Sequence, residues 1–559
     1  MQPLILNAND GQGGAARAVC RLHQGLREIG YDSKMLVRVK STNRESILSL
    51  DSSSYEVTDE TFGFQAIQKY YINLQRTALS NTLFSFPYPS YDVSQLPIVQ
   101  AADVINLHWV AGFQSPQTIK KLADLGKPIV WTLHDMWAFT GGCHYAAGCD
   151  RYQMDCQPCP QLQQDPHNLP ATVLQDKYLL WSGLNLTIVT PSRWLADCAK
   201  QSRLFKNYRV EVIGNSLETD LFQPTPKDFA KQKLGIAPDV FTILLGAGNG
   251  NERRKGFAEC FQAIQHCLED SDFLALAKAE KVQLLSFGLP NKVLSSLPLR
   301  VTSLGEIRSD EMLSQVYSAA NLFVLPSLED NLPNTMLEAM ACGTPVLGFE
   351  VGGLPDVIEE GVTGWLVPLG AIKQMGQVIL DCVRSPQCLS DMEHHCRTLM
   401  ESNYGLPVQA TRYAALFEDL LRNHQPAADS SQVLPVATLK LGDLADQSAQ
   451  LNAALNTTPS TEIHLTLTRA ALRSVIAQLK ECQTSLANVA SSEPDVQSDI
   501  ETKLKNRKAQ LQKVKEKLQT AEAKIEELAQ ELTAIKTSKF WKARSLWIKF
   551  KLLLNFKEN

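Results

Sequence analysis

Two carboxylates stand eight positions apart, Asp330 and Glu338, in "LEDNLPNTMLEAMACGTP". The stretch is a polar, Pro-containing turn between the apolar run "NLFVLPS" and a segment rich in Leu, Met and Ala. Acids at a strand–helix junction can hold a ligand's vicinal hydroxyls, and a charged acceptor contributes about 1.5–3 kcal/mol there. They can also serve the backbone alone. Thr335 to Glu338 fits a capping box, and Asp330 can open a turn. Residue chemistry leaves both readings open. A second group, Arg253, Arg254 and Lys255, follows "GAGNGNE" and precedes a helical pattern. Cations beside a helix N-terminus suit a diphosphate, because amides and side chains converge on the anion. The pattern G-x-x-x-x-G-K-[ST] is absent, and a solvated basic turn is the plainer alternative. A third group is Gly11, Gly13 and Ala16 in "GQGGAA", which fit G-x-G-x-x-[GA] after a strand. A NAD site also needs an acid at the end of the second strand. That strand, "SKMLVRVKS", carries Arg38 and Lys40 instead, which disfavours NAD. The glycines still let backbone approach a ligand closely.

The segment "FTGGCHYAAGCDRYQMDCQPCP" spaces Cys143, Cys149, Cys156 and Cys159 as C-x5-C-x6-C-x2-C. Such an array, ending in C-x-x-C and Pro, has the look of a structural zinc site. Cys156 and Cys159 form its firmest half. The spacing is not that of a ferredoxin. A disulfide pair is the alternative, disfavoured in a reducing compartment.

These residues need a scaffold, and the hydrophobic pattern describes one. From 1 to about 215, strand-like runs ("PLILNA", "SKMLVRV", "DVINLHW", "PIVWTLH", "LTIVTPS") alternate with helical ones such as "AARAVCRLHQGLREIG". After a polar connection the alternation restarts with "FTILLGAG", "VQLLSFG", "RVTSLG", "NLFVLPS", "TPVLGF" and "GWLVP". It closes near 424 with the helix "PVQATRYAALFEDLLRNH". Alternating β and α elements predict two α/β units with parallel sheets.

With those motifs in view, the chain resembles the family 4 glycosyltransferases, which have the GT-B fold: two Rossmann-like domains facing a cleft. The resemblance lies in "LPSLEDNLPNTMLEAMACGTPVLGFEVGGLPDVIEEGVTGWLVP", "GGAARAV", "TLHDMW", "VIGNSLETDLFQP", "RRKGF" and "LGEIRSDEMLSQVYSAANLFVLPS", in order across roughly 1–424. It implies an acceptor domain at 1–215 and a nucleotide-sugar domain at 216–424, whose last helix packs back toward the first. The family's E-x7-E pair maps onto Asp330 and Glu338, with Asp departing from Glu at the position near the donor sugar. That departure bears on sugar identity. The resemblance assigns Glu338 to the nucleotide ribose, Arg254 and Lys255 to the diphosphate, and Gly13 and Gly14 to the loop over it. It sets Asn331 and Leu332 among the donor-binding residues, and His134 of "TLHD" against the donor sugar. The implied reaction is sugar transfer from a nucleotide diphosphate sugar to a hydroxyl, with retention and no catalytic metal. A Cys-rich insertion like 138–168 follows "HDMWAFTGGC" in one subgroup that builds surface polysaccharides. Its place after His134 implies a role beside the acceptor cleft.

The remainder of the chain reads differently. Residues 425–495 are a linker rich in Ala, Ser, Asp, Thr and Pro, with one amphipathic helix, "LTRAALRSVIAQLKECQTSLANV". Residues 496–537 carry a heptad seam: Leu511, Val514, Leu518, Ala521, Ile525, Leu528, Leu532 and Ile535. With Arg507 as its one polar break, the seam predicts a self-associating coiled coil, dimer or trimer; a lone solvated helix is the alternative. In 538–559, Phe540, Ala543, Trp547, Phe550 and Leu554 share a helical face beside Lys539, Lys542, Arg544, Lys549, Lys551 and Lys557. A basic aromatic helix suits an anionic membrane surface; packing on the protein's own domains is the alternative. Net charge is −5, which gives no pull toward nucleic acid. The start has no signal-peptide pattern, and no apolar run approaches the ~18 residues of a membrane span. A cytoplasmic enzyme, peripheral at the inner membrane face and acting on a carbohydrate or lipid-linked acceptor, is the expectation. Two other classes compete: a coiled-coil scaffold that binds a nucleotide sugar without turnover, and a GT-B-like sugar-nucleotide epimerase or hydrolase. The first is separated by turnover, the second by its independence of any acceptor.

Overall fold

The apolar runs form short strands buried on both faces, as parallel sheets covered by helices require. In this computed structural model, residues 1–423 are described except 12, 51–71, 74, 81, 88–89, 164, 166–167, 248–251 and 289–296. The first sheet contains β1 (Pro3–Asn9), β2 (Lys34–Val39), β3 (Ile47–Ser49), β4 (Val104–Leu107), β5 (Ile129–Thr132), β6 (Leu186–Thr190) and β7 (Arg209–Val212). Its order is β3-β2-β1-β4-β5-β6-β7. The second contains β8 (Phe241–Gly246), β9 (Val282–Phe287), β10 (Arg300–Ser303), β11 (Leu322–Leu325), β12 (Val346–Phe349) and β13 (Gly364–Val367), in the order β10-β9-β8-β11-β12-β13. Every strand pair is parallel. Each order is that of a doubly wound sheet, which reverses once, between β1 and β4 and again between β8 and β11. Ligand crevices of such sheets open at these reversals, beyond the strands' carboxyl ends.

All eleven expected strands are present, and two more occur. β7 is an edge strand with Arg209 and Glu211 on it, so it shows no apolar run. β3 spans three residues and pairs with β2 through Met35 and Ile47, too short for its pattern to register. The first helix, α1 (Gly13–Glu28), begins directly in the glycine loop. Gly25 on α1 lies so close to Leu406 that a Cβ would stand 2.8 Å from its carbonyl oxygen. That contact seats the last described helix, Leu406–Arg422, on the first sheet's side of the molecule. Its Ala410, Tyr413, Ala414 and Phe417, at helical spacing, pack with Ile5, Val19, Leu22 and Val130. A buried Phe side chain contributes about 1.5–3 kcal/mol, so Phe417 alone ties this helix firmly to the first sheet. No helix among the described residues is long and apolar enough to cross a membrane. The expected amphipathic helix, coiled coil and basic tail lie outside the described residues.

Candidate functional site

Both sheet reversals carry the residues with chemistry. After β8 the chain forms a turn through Arg253–Lys255 and enters the helix Phe257–Leu268. After β11 it reaches Asp330. Gly256, at φ 69°, joins these two loops: a Cβ there would stand 1.7 Å from the Pro326 carbonyl oxygen. Leu328 N–H donates to the Arg254 carbonyl at 2.7 Å. The result is a compact charge cluster. Lys255 Nζ lies 2.6 Å and Arg254 Nη1 3.2 Å from the Asp330 carboxylate. Ser327 Oγ and the Asn331 amide donate to it as well. Burial alone would raise the Asp330 carboxyl, but the two cations and these donors outweigh it and hold it at about 2.

Glu338 sits one helical turn into Asn334–Ala341 and is buried. The helix has Pro333 at its N-cap with no side-chain cap bond; of the two readings left open, Glu338 does not cap, and its carboxylate turns across the cleft. Its Oε1 is 3.2 Å from Arg17 Nε and 3.0 Å from Arg21 Nη2, both on α1. Its Oε2 accepts from Tyr317 at 3.2 Å. Arg21 also pairs with Glu218 at 2.8 Å and lies over the Phe222 ring. Gly14, beside Gly13 at the start of α1, accepts from Asn334 Nδ2 through its carbonyl at 2.9 Å. The two helix starts therefore face each other. Asn331 forms a further bridge: Ser192 donates to its Oδ1 at 2.6 Å, and its amide donates to the His134 carbonyl at 3.1 Å. Leu332 is buried, and its carbonyl accepts from Asn215 at 3.4 Å.

His134 ends a buried relay. Asn106 Nδ2 donates to the Val130 carbonyl and Thr132 Oγ1 at 3.0 and 3.1 Å. That fixes the amide's orientation and leaves Asn106 Oδ1 as acceptor for His108 Nε2 at 2.8 Å. His108 is driven by burial well below the usual imidazole range, so it is neutral and accepts at Nδ1. His134 Nε2, 3.0 Å away, must then be the donor. Burial lowers His134 to about 4, which leaves its Nδ1 as a bare acceptor. Thr132 Oγ1 also meets the Tyr413 hydroxyl at 3.0 Å, so the relay ends on the last described helix.

The Cys-rich segment reaches the same cluster. Tyr145 OH donates to Asp330 Oδ1 at 3.4 Å, and Arg254 lies 4.3 Å from the Tyr145 ring centre. The Ala146 and Ala147 amides donate to Glu329 at 3.2 and 3.0 Å. These residues of the Cys-rich segment abut the acids of the second sheet. All four cysteines are free and line one cavity of about 20 Å³. Among the described residues, no group of three or more His, Cys, Asp or Glu side chains is placed to hold a metal ion.

Sequence reasoning missed Arg17, Arg21, Tyr317, Tyr145, Glu329 and the His108–Asn106 relay. Arg17 and Arg21 did leave a signal: two arginines one turn apart on the helix after the glycine loop. The others sit at positions where a buried polar residue reads like any other.

Residues 242–385 match the family model described as Glycosyl transferases group 1. That stretch holds Arg254, Lys255, Asp330 and Glu338. A relative in Escherichia coli K12, named for colanic acid biosynthesis as glycosyl transferase WcaC, is 22% identical over 380 residues, covering 64% of this chain and 86% of its own. A D-inositol 3-phosphate glycosyltransferase of Catenulispora acidiphila is 29% identical over 227 residues. There the alignment covers 37% of this chain, which spans about half (53%) of that relative. Sucrose-phosphate synthase from Thermosynechococcus elongatus superposes with TM-score 0.54 at 19% identity, over 76% of this chain and all of its own. The Anabaena protein HepE, solved with UDP-glucose, gives 0.50 at 16%, over 75% and all of its own. With its two Rossmann-like sheets, the chain has the GT-B fold.

Proposed function

We propose that this chain transfers a sugar from a nucleotide diphosphate sugar to an acceptor hydroxyl with retention of configuration, in the synthesis of a surface polysaccharide or glycolipid. The observation that carries the reading is the meeting of Arg254, Lys255, Asp330 and Glu338 at the β8/β11 reversal, opposite the glycine loop and His134 at the β1/β4 reversal. HepE's UDP-glucose and WcaC's naming for colanic acid biosynthesis support a nucleotide sugar and a polysaccharide product. In this reading the donor diphosphate takes over Arg254 and Lys255 from Asp330, and these cations stabilise the charge of the leaving group. Glu338 holds the ribose, and the His134 Nδ1 lone pair and Asp330 accept from donor-sugar hydroxyls. The bond from the anomeric carbon to the phosphate oxygen breaks as the bond to the acceptor oxygen forms on the same face. The acceptor's proton passes to the leaving phosphate. The heptad seam at 496–537 would pair copies, and the basic aromatic 538–559 would hold them at an anionic membrane near a lipid-linked acceptor.

The test is nucleotide release from UDP-, GDP- and ADP-sugars, with and without membrane extract, for wild type, Glu338→Gln and Lys255→Ala. Consumption of one donor only with extract, abolished in both variants while their melting remains cooperative, supports transfer. Binding without turnover of any donor overturns it in favour of a scaffold, and turnover without extract favours an epimerase or hydrolase.

A further inference from the structure

The cysteine segment is chemistry that sugar transfer does not absorb. Cys143, Cys149, Cys156 and Cys159 come from seventeen residues of irregular chain, yet their side chains line a single cavity of about 20 Å³. That is a void wide enough to admit a water-sized centre between the four sulfur-bearing side chains. None of the four is in a disulfide. The Arg151 amide donates to Cys149 Sγ at 3.5 Å, two residues on. Amides aimed at sulfur stabilise its anionic, metal-binding form and orient the ligand. The buried Lys177 amine donates to the carbonyls of Trp137 and Thr140 at 2.5 and 2.9 Å, six and three residues before the first cysteine.

We propose that Cys143, Cys149, Cys156 and Cys159 bind one zinc ion as four thiolates, and that this ion braces the loop carrying Tyr145 and the Ala146–Ala147 amides against Asp330 and Glu329. Binding closes the four sulfurs inward across the cavity to Zn–S distances of about 2.3 Å, with loss of the thiol protons to solvent. The consequence is specific. Tyr145 lies two residues after Cys143, and Ala146 and Ala147 lie between it and Cys149. The metal therefore fixes, from both ends, the loop that contacts the second sheet's charge cluster.

The experiment uses the full chain expressed with zinc in the medium. Elemental analysis should give close to one zinc per chain, with no iron and no visible cluster absorption. The four thiols should react with a thiol reagent only after a chelator removes the metal. Cobalt substitution should give the ligand-field bands of a tetrahedral thiolate site. Cys156→Ser and Cys149→Ser should each lose more than half of the zinc, whereas Cys388→Ser, at an exposed cysteine elsewhere, should keep it. A wild-type chain that melts cooperatively without metal, an iron-containing chromophore, or a disulfide among these four would each overturn the proposal. If Cys156→Ser fails to fold, the cobalt spectrum of wild type still decides. The metal readouts do not depend on sugar transfer, so this inference and the proposed activity fail separately.

Discussion

Replacing Asp330 with Asn removes the anion between Lys255 and Arg254 while keeping its shape. The carboxyl is held at about 2 against an ordinary 3.8. At about 1.36 kcal/mol per unit that difference is worth roughly 2.5 kcal/mol of stability. Because the folded value is the lower one, the contribution is complete above pH 3.8 and is lost as pH falls through 2. At pH 7 the variant loses all of it and leaves the half-buried Lys255 without its anion, while Arg254 keeps Glu252 at 2.8 Å. Breaking a buried pair in this way costs about 3–5 kcal/mol, so a loss of about 3 kcal/mol is expected. At about 1 °C per kcal/mol for a cooperative unit of roughly 420 residues, the melting temperature should fall by roughly 3 °C. A nucleoside diphosphate that takes the same cations would restore their pairing. UDP should therefore raise the melting temperature of Asp330→Asn more than that of wild type. A double-mutant cycle with Lys255→Met isolates the contact, and its coupling should lie within about 0.5–3 kcal/mol. Additive effects, or a variant melting within 1 °C of wild type, would refute the view that this ion cluster holds the loops together.

Two other expectations follow from the same geometry. Gly352 has φ 55°, and a Cβ there would stand 1.6 Å from the Asp330 carbonyl oxygen, so Gly352→Ala must displace Asp330 and should weaken UDP binding in calorimetry by tenfold or more. His134 folds with a value of about 4 against an ordinary 6.5; the unfolded chain binds more protons between these values, so the urea midpoint should fall from pH 6.5 to pH 4, by about 1.4 kcal/mol per unit at most from this group, and His134→Asn should flatten that slope.

Much of this architecture was legible because parallel sheets buried on both faces read as uninterrupted apolar runs. The alternation of strands and helices then implied doubly wound units. The strands that escaped notice, β3 and β7, are an edge of three residues and an edge bearing charge. Edge strands lack the second buried face that produces the signal. The site was legible where charge or glycine is concentrated, at Arg254–Lys255, Asp330, Glu338 and the first glycine loop. It was not legible where function rests on pairing across long sequence separations. Arg21 and Glu338 lie 317 positions apart, and no local pattern announces such a pair. The capping-box motif left two readings open for the same reason: a local backbone donor was on offer, but a buried arginine gave Glu338 a stronger partner.

The contacts across the cleft also constrain how the site can work. Glu338 is held by Arg17 and Arg21, and Asp330 by Arg254 and Lys255, so each acid has cationic partners within the protein. Neither acid nor cation is left as an isolated buried charge, whose desolvation would be costly. A donor entering this cleft must exchange partners with them, and anionic and hydroxyl-bearing portions of one molecule suit that exchange: a phosphate can replace Asp330 at the cations, and hydroxyls can donate to the acids so released. A neutral sugar alone offers no anion for Arg254 and Lys255, and inorganic phosphate alone offers few donors to Glu338. The paired acids and cations therefore favour a ligand that combines phosphate with vicinal hydroxyls. Under this argument UDP should protect against thermal unfolding at concentrations where glucose and phosphate, supplied together but unlinked, do not. Equal protection by the unlinked pair would show that the two halves of the cluster act independently.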